Sequence, residues 1–458
     1  MVGQEEQSRN KGAYLPFFDA VPRSWSVYTL LFFGVFLILL CSLLFDVRTL
    51  PSTFLLHATN QLGAFRGHAG KNFVHLNGVD ERTMRKEVNK TSARTSGEEI
   101  MKDFTTDDAN CDYSTGQWVY DESYPLYKSD TCPFVDEGFR CIENGRPSDK
   151  YQKYRWQPFG CTIPRFDPIY MLENLRGRRL AFVGDSLGRN EWESLLCMLS
   201  DTVTNKSRIY EIHGEPITKH KGFLSFKFEE YNCTVEYYRS TNLVEQSRAP
   251  SYSSVRVNST FKLDRIDHFA RKWRDADILI FNSGHWWTDE KTFKKGNYFQ
   301  LKDEIRMEMK VEDAFRIAIR TIAMYLDENI DSNRTQVFWR GYAPVHFKDG
   351  TWETEGTCVD SEPSNITSYQ EPWYKYNEII WEETQKYKKT PMIFLNITFA
   401  SDHRADGHPS NYSTSSSSNS STSDCSHWCL PGVPDTWNEF LYAALLNTSQ
   451  WPWAEKHK

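Results

Sequence analysis

The chain has 458 residues, 25% of them charged, 39% hydrophobic and 15% aromatic, with 15 Trp and 23 Tyr. That composition belongs to a globular protein large enough for two or three domains, and it excludes a disordered or collagen-like chain. A net charge of −7, from 54 Lys and Arg against 61 Asp and Glu, argues against nucleic acid as a partner.

In chain order, residues 1–23 are a short polar tail. Ser24 to Phe45 carries no charge and contains the runs Leu30-Leu31-Phe32-Phe33 and Phe36-Leu37-Ile38-Leu39-Leu40. A helix of that length crosses a bilayer core of ~30 Å. A cleaved signal peptide has a shorter apolar stretch of about 7–15 residues, so 24–45 is predicted to be a retained single-pass anchor. Arg9, Lys11 and Arg23 precede it and Arg48 alone follows closely, which favours a cytosolic N-terminus. Residues 46–109 lack cysteine and read as a flexible stem. At Asn110 the composition changes: Cys111, Cys132, Cys141 and Cys161 follow in quick succession, so 110–167 is predicted to be a small, loop-rich, disulfide-stapled module.

Residues 168–458 read as an α/β domain. Arg179–Gly184 is a buried strand that runs into a helix over Leu187–Leu199, and Ala276–Phe281 is a second strand. Val311, Phe315, Ala318, Ile319, Ile322 and Leu326 make one face of an amphipathic helix. Val337–Trp339 and Met392–Leu395 are further strands, with a helix over Trp373–Lys386 between them, and another helix starts near Pro434. Strands alternating with helices predict a parallel sheet covered on both faces. The Ser- and Thr-rich run from Tyr412 to Ser423 is predicted to be a mobile loop.

Of ten cysteines, Cys41 lies in the anchor and nine follow Asn110. Without a C-x-x-C knuckle, they read as a disulfide framework in an oxidising lumen. Nine is odd, and Cys233, alone in a polar stretch, is predicted to be free. Zinc on Cys425, His427 and Cys429 is the rival reading, but no second cluster at ligand spacing accompanies them, and no metal is expected. Asn89, Asn205, Asn232, Asn258, Asn333, Asn365, Asn396, Asn411, Asn419 and Asn447 each open a glycosylation sequon, all after the anchor, which also favours a lumenal domain.

Two constellations could carry chemistry. In Gly184-Asp185-Ser186-Leu187-Gly188-Arg189-Asn190 a strand ends and a helix begins. The Ser186 hydroxyl falls at the C-terminal edge of the sheet, beside the free N–H groups of a helix N-terminus, which can stabilise an oxyanion. The plain alternative is that Asp185 or Ser186 merely caps the helix. In Asp424-Cys425-Ser426-His427-Trp428-Cys429 a carboxylate and an imidazole stand three residues apart between cysteines, the make-up of a base with its tautomer fixed. His213, His285, His346, His403 and His408 compete for that role, but lack the acid at i−3 and the flanking cysteines.

Taken together with Cys111-Asp112-Tyr113, Cys132-Pro133-Phe134, Phe159-Gly160-Cys161, Gly284-His285-Trp286-Trp287 and Leu430-Pro431-Gly432, these motifs resemble the plant trichome birefringence-like family of type II Golgi proteins, over about residues 110–447. The resemblance implies an SGNH/GDSL-like α/β domain with a cysteine-rich N-terminal module packed against it. It implies O-acetylation of a cell-wall polysaccharide such as xylan, xyloglucan, mannan or pectin. Ser186 would be the nucleophile, His427 the general base and acid, and Asp424 its orienting partner. No bound cofactor is implied; the acetyl donor, acetyl-CoA or a relayed acetyl group, is a co-substrate. The implied disulfides are Cys111–Cys161, Cys132–Cys197, Cys141–Cys429 and Cys358–Cys425. Where SGNH enzymes use a Gly-x-Asn-Asp block for the oxyanion hole, this chain reads Asn282-Ser283-Gly284-His285. Asn282 and His285, with Gly184, Asp185, Arg189 and Asn190, are the candidate oxyanion or site-lining residues. A polysaccharide acetylesterase would use the same residues. A non-catalytic wall-polysaccharide binding protein could use Trp118, Trp156, Trp286, Trp287, Trp339, Trp352 and Trp428 to stack on sugars, but would have no need of Ser, His and Asp together.

Overall fold

A computed structural model describes residues 111–351, 354, 356–358, 362–364, 373–413 and 423–447. The predicted tail, anchor and stem, Trp352, Asn89, Asn365, Asn419 and the serine run at 414–422 lie outside the described residues. Among the described residues no helix is long and apolar enough to cross a membrane.

Strands β1 (Gly116–Tyr120) and β2 (Tyr154–Pro158) pair antiparallel in the cysteine-rich module. Helix α1 (Pro168–Asn174) leads into β3 (Arg179–Gly184) and helix α2 (Ser186–Ser200). Next come β4 (Ile209–Glu211), β5 (Phe223–Phe228), β6 (Cys233–Arg239), β7 (Val244–Arg248), β8 (Ser259–Ile266), β9 (Ile278–Phe281), β10 (Asn297–Leu301) and β11 (Glu304–Arg306). Helix α3 (Val311–Asn329), β12 (Gln336–Arg340), helix α4 (Trp373–Thr384), β13 (Met392–Leu395) and helix α5 (Val433–Asn447) complete the order used here.

The main sheet runs β13-β12-β9-β3-β6-β5-β4. Its central strand shows why both faces are covered. Along β3, Leu180 and Phe182 point to one side, where they meet Trp192, Leu195 and Leu196 of α2 and Leu441 and Tyr442 of α5. Ala181 and Val183 point to the other side, toward Phe315, Ile319 and Ile322 of α3 and Ile379 and Ile380 of α4. Each large side chain so buried contributes about 1.5–3 kcal/mol. A strand apolar at every position therefore sits between two layers of helix.

The sheet is mixed rather than all parallel, which corrects the prediction. From β13 to β6 every pairing is parallel, but β5 joins β6 antiparallel and β4 joins β5 antiparallel. A short turn links β5 to β6, with Asn232 in the left-handed region at φ 50°, and a connection that short admits only an antiparallel pair. The polar letters of Phe-Leu-Ser-Phe-Lys-Phe and Cys-Thr-Val-Glu-Tyr-Tyr-Arg hide these strands from an apolar-run reading. Strands β11-β10-β8-β7 form a second, mixed sheet that the sequence reading also missed. Cys233 is, as predicted, the free cysteine among the described residues; it is buried at the start of β6, and burial pushes its thiol up to about 12.

Disulfides join Cys111 to Cys161, Cys132 to Cys197, Cys141 to Cys429 and Cys358 to Cys425. Cys425 and Cys429 are thereby excluded as zinc ligands. Two of the bridges bind the cysteine-rich module to the α/β domain, and polar contacts reinforce them. The Tyr124 hydroxyl donates to Glu439 Oε1 at 2.6 Å and that of Tyr127 to Asp435 Oδ1 at 3.0 Å, both on α5. Of the sequons described, Asn205, Asn232, Asn258, Asn333 and Asn411 are exposed, while Asn396 and Asn447 are half-buried. The amide nitrogen of Asn447 donates to Tyr113 Oη at 2.7 Å.

Burial, only partly offset by the Tyr124 hydrogen bond, pushes the Glu439 carboxyl up to about 7 from an ordinary value of 4.5. A folded-state value above the unfolded one means that the folded protein keeps a proton the unfolded chain releases. The stability linked to Glu439 is thus full below about pH 4.5 and is lost as pH rises through about 7. Glu439→Gln should flatten the fall of melting temperature between about pH 5 and pH 8; thermal melts across that range compare the slopes.

Candidate active site

The turn after β3 is built to hold one hydroxyl. Asp185 caps α2, its Oδ1 accepting from Leu187 N at 2.9 Å and from Asn282 Nδ2 at 2.6 Å. A Cβ at Gly184 or Gly188 would stand 2.0 or 2.1 Å from Asn282 Oδ1. Glycine at both positions lets the Asn282 side chain bridge from the end of β9 to this turn. Ser186 is then the first residue of α2 and is half-buried, with its Oγ 2.7 Å from His427 Nε2.

His427 Nδ1 lies 2.8 Å from Asp424 Oδ2, and Asp424 Oδ1 accepts from the backbone N–H of Ser426 and of His427, each at 3.0 Å. Burial disfavours the carboxylate, but the charge and hydrogen bonds of His427 and the two backbone N–H groups outweigh it and hold Asp424 at about 2. At neutral pH Asp424 is therefore an acceptor only. It fixes the imidazole proton on Nδ1 and leaves a lone pair on Nε2 facing the Ser186 hydroxyl.

Several contacts besides the disulfides clamp the loop that carries Asp424 and His427. Asn190, one turn into α2, accepts from Trp428 N at 2.8 Å and donates to Trp428 O at 3.1 Å. Asp424 pairs with Ser410 in an antiparallel bridge. Trp428 is fully buried and packs on His408 and Trp437, with ring centroids 4.0 and 5.9 Å away. Trp428 thus gives the loop an apolar anchor beside its two bridged cysteines. Phe139 of the cysteine-rich module lies 5.5 Å from the His427 ring.

Two of the rival histidines form part of this support. His408 Nδ1 is 2.6 Å from the His427 carbonyl, which can only accept, so Nδ1 carries a proton. Burial and the neighbouring His346 hold His408 well below its ordinary range. It is neutral, and its Nε2 accepts from His346 Nδ1 at 2.6 Å. His346 reaches on to the Asp402 carbonyl at 3.0 Å. The chain from Asp402 through His346 and His408 thus ends on the backbone of the residue that faces Ser186. The sequence flagged both histidines singly but carried no sign that they touch.

The candidate lining residues are spent on scaffolding. Arg189 is tied to Asp136 at 3.0 Å and Glu193 at 2.6 Å, Asn190 to Trp428, Asn282 to Asp185, and His285 Nε2 to the Ala343 carbonyl at 2.7 Å. Four N–H groups at a helix start lack an intrahelical partner. Here Leu187 N bonds to the Asp185 side chain and Arg189 N to its carbonyl, while those of Ser186 and Gly188 have no partner among the described residues. Trp156, Trp287, Trp339 and Trp428 are buried core and not sugar platforms. Trp118 and Trp286 are half-buried.

A strand–serine–helix turn at the C-terminal end of a parallel run of strands, met by His and Asp from a late loop, is the layout of the GDSL/SGNH-like class of acyl-transferring and acyl-cleaving proteins. Residues 163–444 match the family described as the GDSL/SGNH-like acyl-esterase family found in Pmr5 and Cas1p, and residues 109–162 match the PMR5 N-terminal domain. The chain belongs to the trichome birefringence-like family. It is 45% identical over 346 residues to trichome birefringence-like 9 of Arabidopsis thaliana, covering 74% of this chain and 84% of that protein. With trichome birefringence-like 6 of the same plant it shares 45% identity over 340 residues, 74% of this chain and 71% of the relative. The protein trichome birefringence itself is 42% identical over 344 residues, 74% of this chain and 56% of its own length.

Asn190→Ala leaves the buried Trp428 N–H and carbonyl without partners, at about 1–3 kcal/mol for each orphaned group. A shift of about 1 Å in the His427 loop can cost about a hundredfold in rate. Asn190→Ala should therefore lower both melting temperature and kcat while KM changes little, as measured by steady-state kinetics on the folded variant.

Proposed function

We propose that this chain is an O-acetyltransferase that moves an acetyl group through Ser186 onto a hydroxyl of a plant cell-wall polysaccharide of the xylan, xyloglucan, mannan or pectin class. The observation that carries the reading is the unbroken chain from Ser186 Oγ through both nitrogens of His427 to Asp424 Oδ2, at 2.7 and 2.8 Å. Ser186 Oγ attacks the acetyl carbonyl as its proton passes to His427 Nε2, and the donor's leaving group departs with that proton. The partnerless N–H groups of Ser186 and Gly188 are placed to receive the oxyanion in place of Asn282. In the second half a sugar hydroxyl gives its proton to His427 and takes the acetyl group, and Ser186 regains its proton. Asp424 stays ionised throughout and balances the imidazolium.

The acetyl donor is acetyl-CoA or a relayed acetyl group. Four disulfides and exposed sequons support a lumenal domain, the charge-free run 24–45 supports a single-pass type II anchor, and the Golgi membrane is the location the family resemblance implies. The second reading, a polysaccharide acetylesterase, draws on the acyl-esterase description of the matched family; there water takes the place of the sugar hydroxyl. Incubation with a donor and unacetylated oligosaccharides separates the two, since transfer adds mass to the sugar and hydrolysis yields acetate only.

Ser186→Ala and His427→Ala should each lower transfer by at least about a thousandfold, and the triple variant with Asp424→Asn should be no worse than the worst single, because the three act as one unit. Intact-mass analysis with donor and no acceptor should find one acetyl group on the parent protein and none on Ser186→Ala. A Ser186→Ala protein that transfers at the parent rate would sink the assignment.

A further inference from the structure

The exits of β6 and β9 meet across the end of β3, at the turn that carries Ser186. Arg239, the last residue of β6, is in register with Gly184. Ser240 N donates to the Gly184 carbonyl at 2.8 Å, and Ser283 Oγ, just beyond β9, donates to the Thr241 carbonyl at 3.0 Å. Trp286 follows on the same β9 exit and is half-buried. Its ring has two cations beside it: Lys291 Nζ at 5.3 Å and Arg239 Cζ at 6.0 Å from the centroid.

These groups are short of acceptors. Arg239 donates to the Lys219 carbonyl at 3.2 Å, and neither cation has a carboxylate within ion-pair distance among the described residues. Glu290, next to Lys291 in the chain, is taken by Lys294 at 2.9 Å. The indole N–H of Trp286 has no hydrogen-bond partner among the described residues. The face of the half-buried Trp286 indole offsets only about 0.5–1 kcal/mol of a cation's charge, so both groups keep their charge available to an anion. In a chain of net charge −7, two unpaired cations and a free N–H at the edge of the serine's turn form a local feature and not part of a general positive field.

We propose that Arg239, Lys291 and the Trp286 N–H form an anion-binding subsite on the rim of the Ser186 site, which takes a negatively charged group carried by one of the two substrates. That group is a carboxylate on an acidic sugar of the acceptor or a phosphate of the acetyl donor. The inference rests on the acyl-transfer reading only for naming the substrates.

The test is binding, measured by titration calorimetry on Ser186→Ala protein, which cannot turn over; a failed transfer assay and a failed titration are then separate results. The probes are an oligogalacturonide, a neutral xylo-oligosaccharide of equal length, and coenzyme A. One anionic probe should bind at least about tenfold more tightly than the neutral sugar, the worth of a charge-assisted contact, and its affinity should fall as salt rises from about 50 to 300 mM. Adding Arg239→Gln and Lys291→Gln should abolish that preference, whereas Arg239→Lys with Lys291→Arg should keep most of it. Preference for the oligogalacturonide assigns the subsite to the acceptor, and preference for coenzyme A to the donor. The proposal is overturned if neither anionic probe binds better than the neutral sugar, if affinity is indifferent to salt, or if the Gln variants bind as the parent does.

Discussion

Ser186 Oγ and His427 Nε2 stand 2.7 Å apart with 241 residues of chain between them. Everything else in the site serves to keep that distance. The serine is fixed from below by a strand buried on both faces and by an Asp185–Asn282 bridge that only glycine at 184 and 188 allows. The histidine sits on a loop, and a loop has no ladder of its own to hold it. Its rigidity is therefore borrowed from Asn190 on the serine's own helix, from the buried Trp428 and from the His346–His408 chain. Because Asn190 lies on the same helix as Ser186, nucleophile and base share one rigid element, and a tilt of α2 carries both together.

The cysteine-rich module belongs to this arrangement as much as the sheet does. Phe139 packs on the His427 ring, Leu430 N donates to the Phe139 carbonyl at 2.9 Å, and Arg189 joins Asp136 of the module to Glu193 of α2. The module therefore forms one wall of the site, and the base rests between it and the α/β domain.

Much of this was legible in the sequence, for physical reasons that can be named. Arg-Leu-Ala-Phe-Val-Gly has no polar side chain after its first residue, so it had to be a doubly covered strand. The acid at i−3 from His427 is local, so its meaning survives without a structure. The antiparallel edge was illegible because Ser225, Lys227, Thr234 and Glu236 interrupt the apolar runs of β5 and β6, and their pairing depends on a turn with one left-handed residue. Asn282 and Arg189 have the right chemistry for an oxyanion hole. What spends Asn282 elsewhere is a partner 97 residues away, a distance no local pattern reports, while Arg189 is shared between Asp136, 53 residues away, and Glu193 one turn along its own helix. The histidine pair was hidden for the same reason, its members being 62 residues apart.

The bridge from Cys141 to Cys429 spans 288 residues, and this bears on how the protein is made. Synthesis proceeds from the N-terminus, so Cys141 emerges early and must wait, unpaired, until all but the last stretch of the chain has followed. Oxidation of this pair fastens the residue two places after the base to the module that packs against it. Assembly of the site is thus a late event in biosynthesis, set by the arrival of the C-terminal segment and by the redox conditions it meets. A chain that stops short of Cys429 leaves Cys141 without its mate and the wall at Phe139 untethered, even where the central sheet has formed.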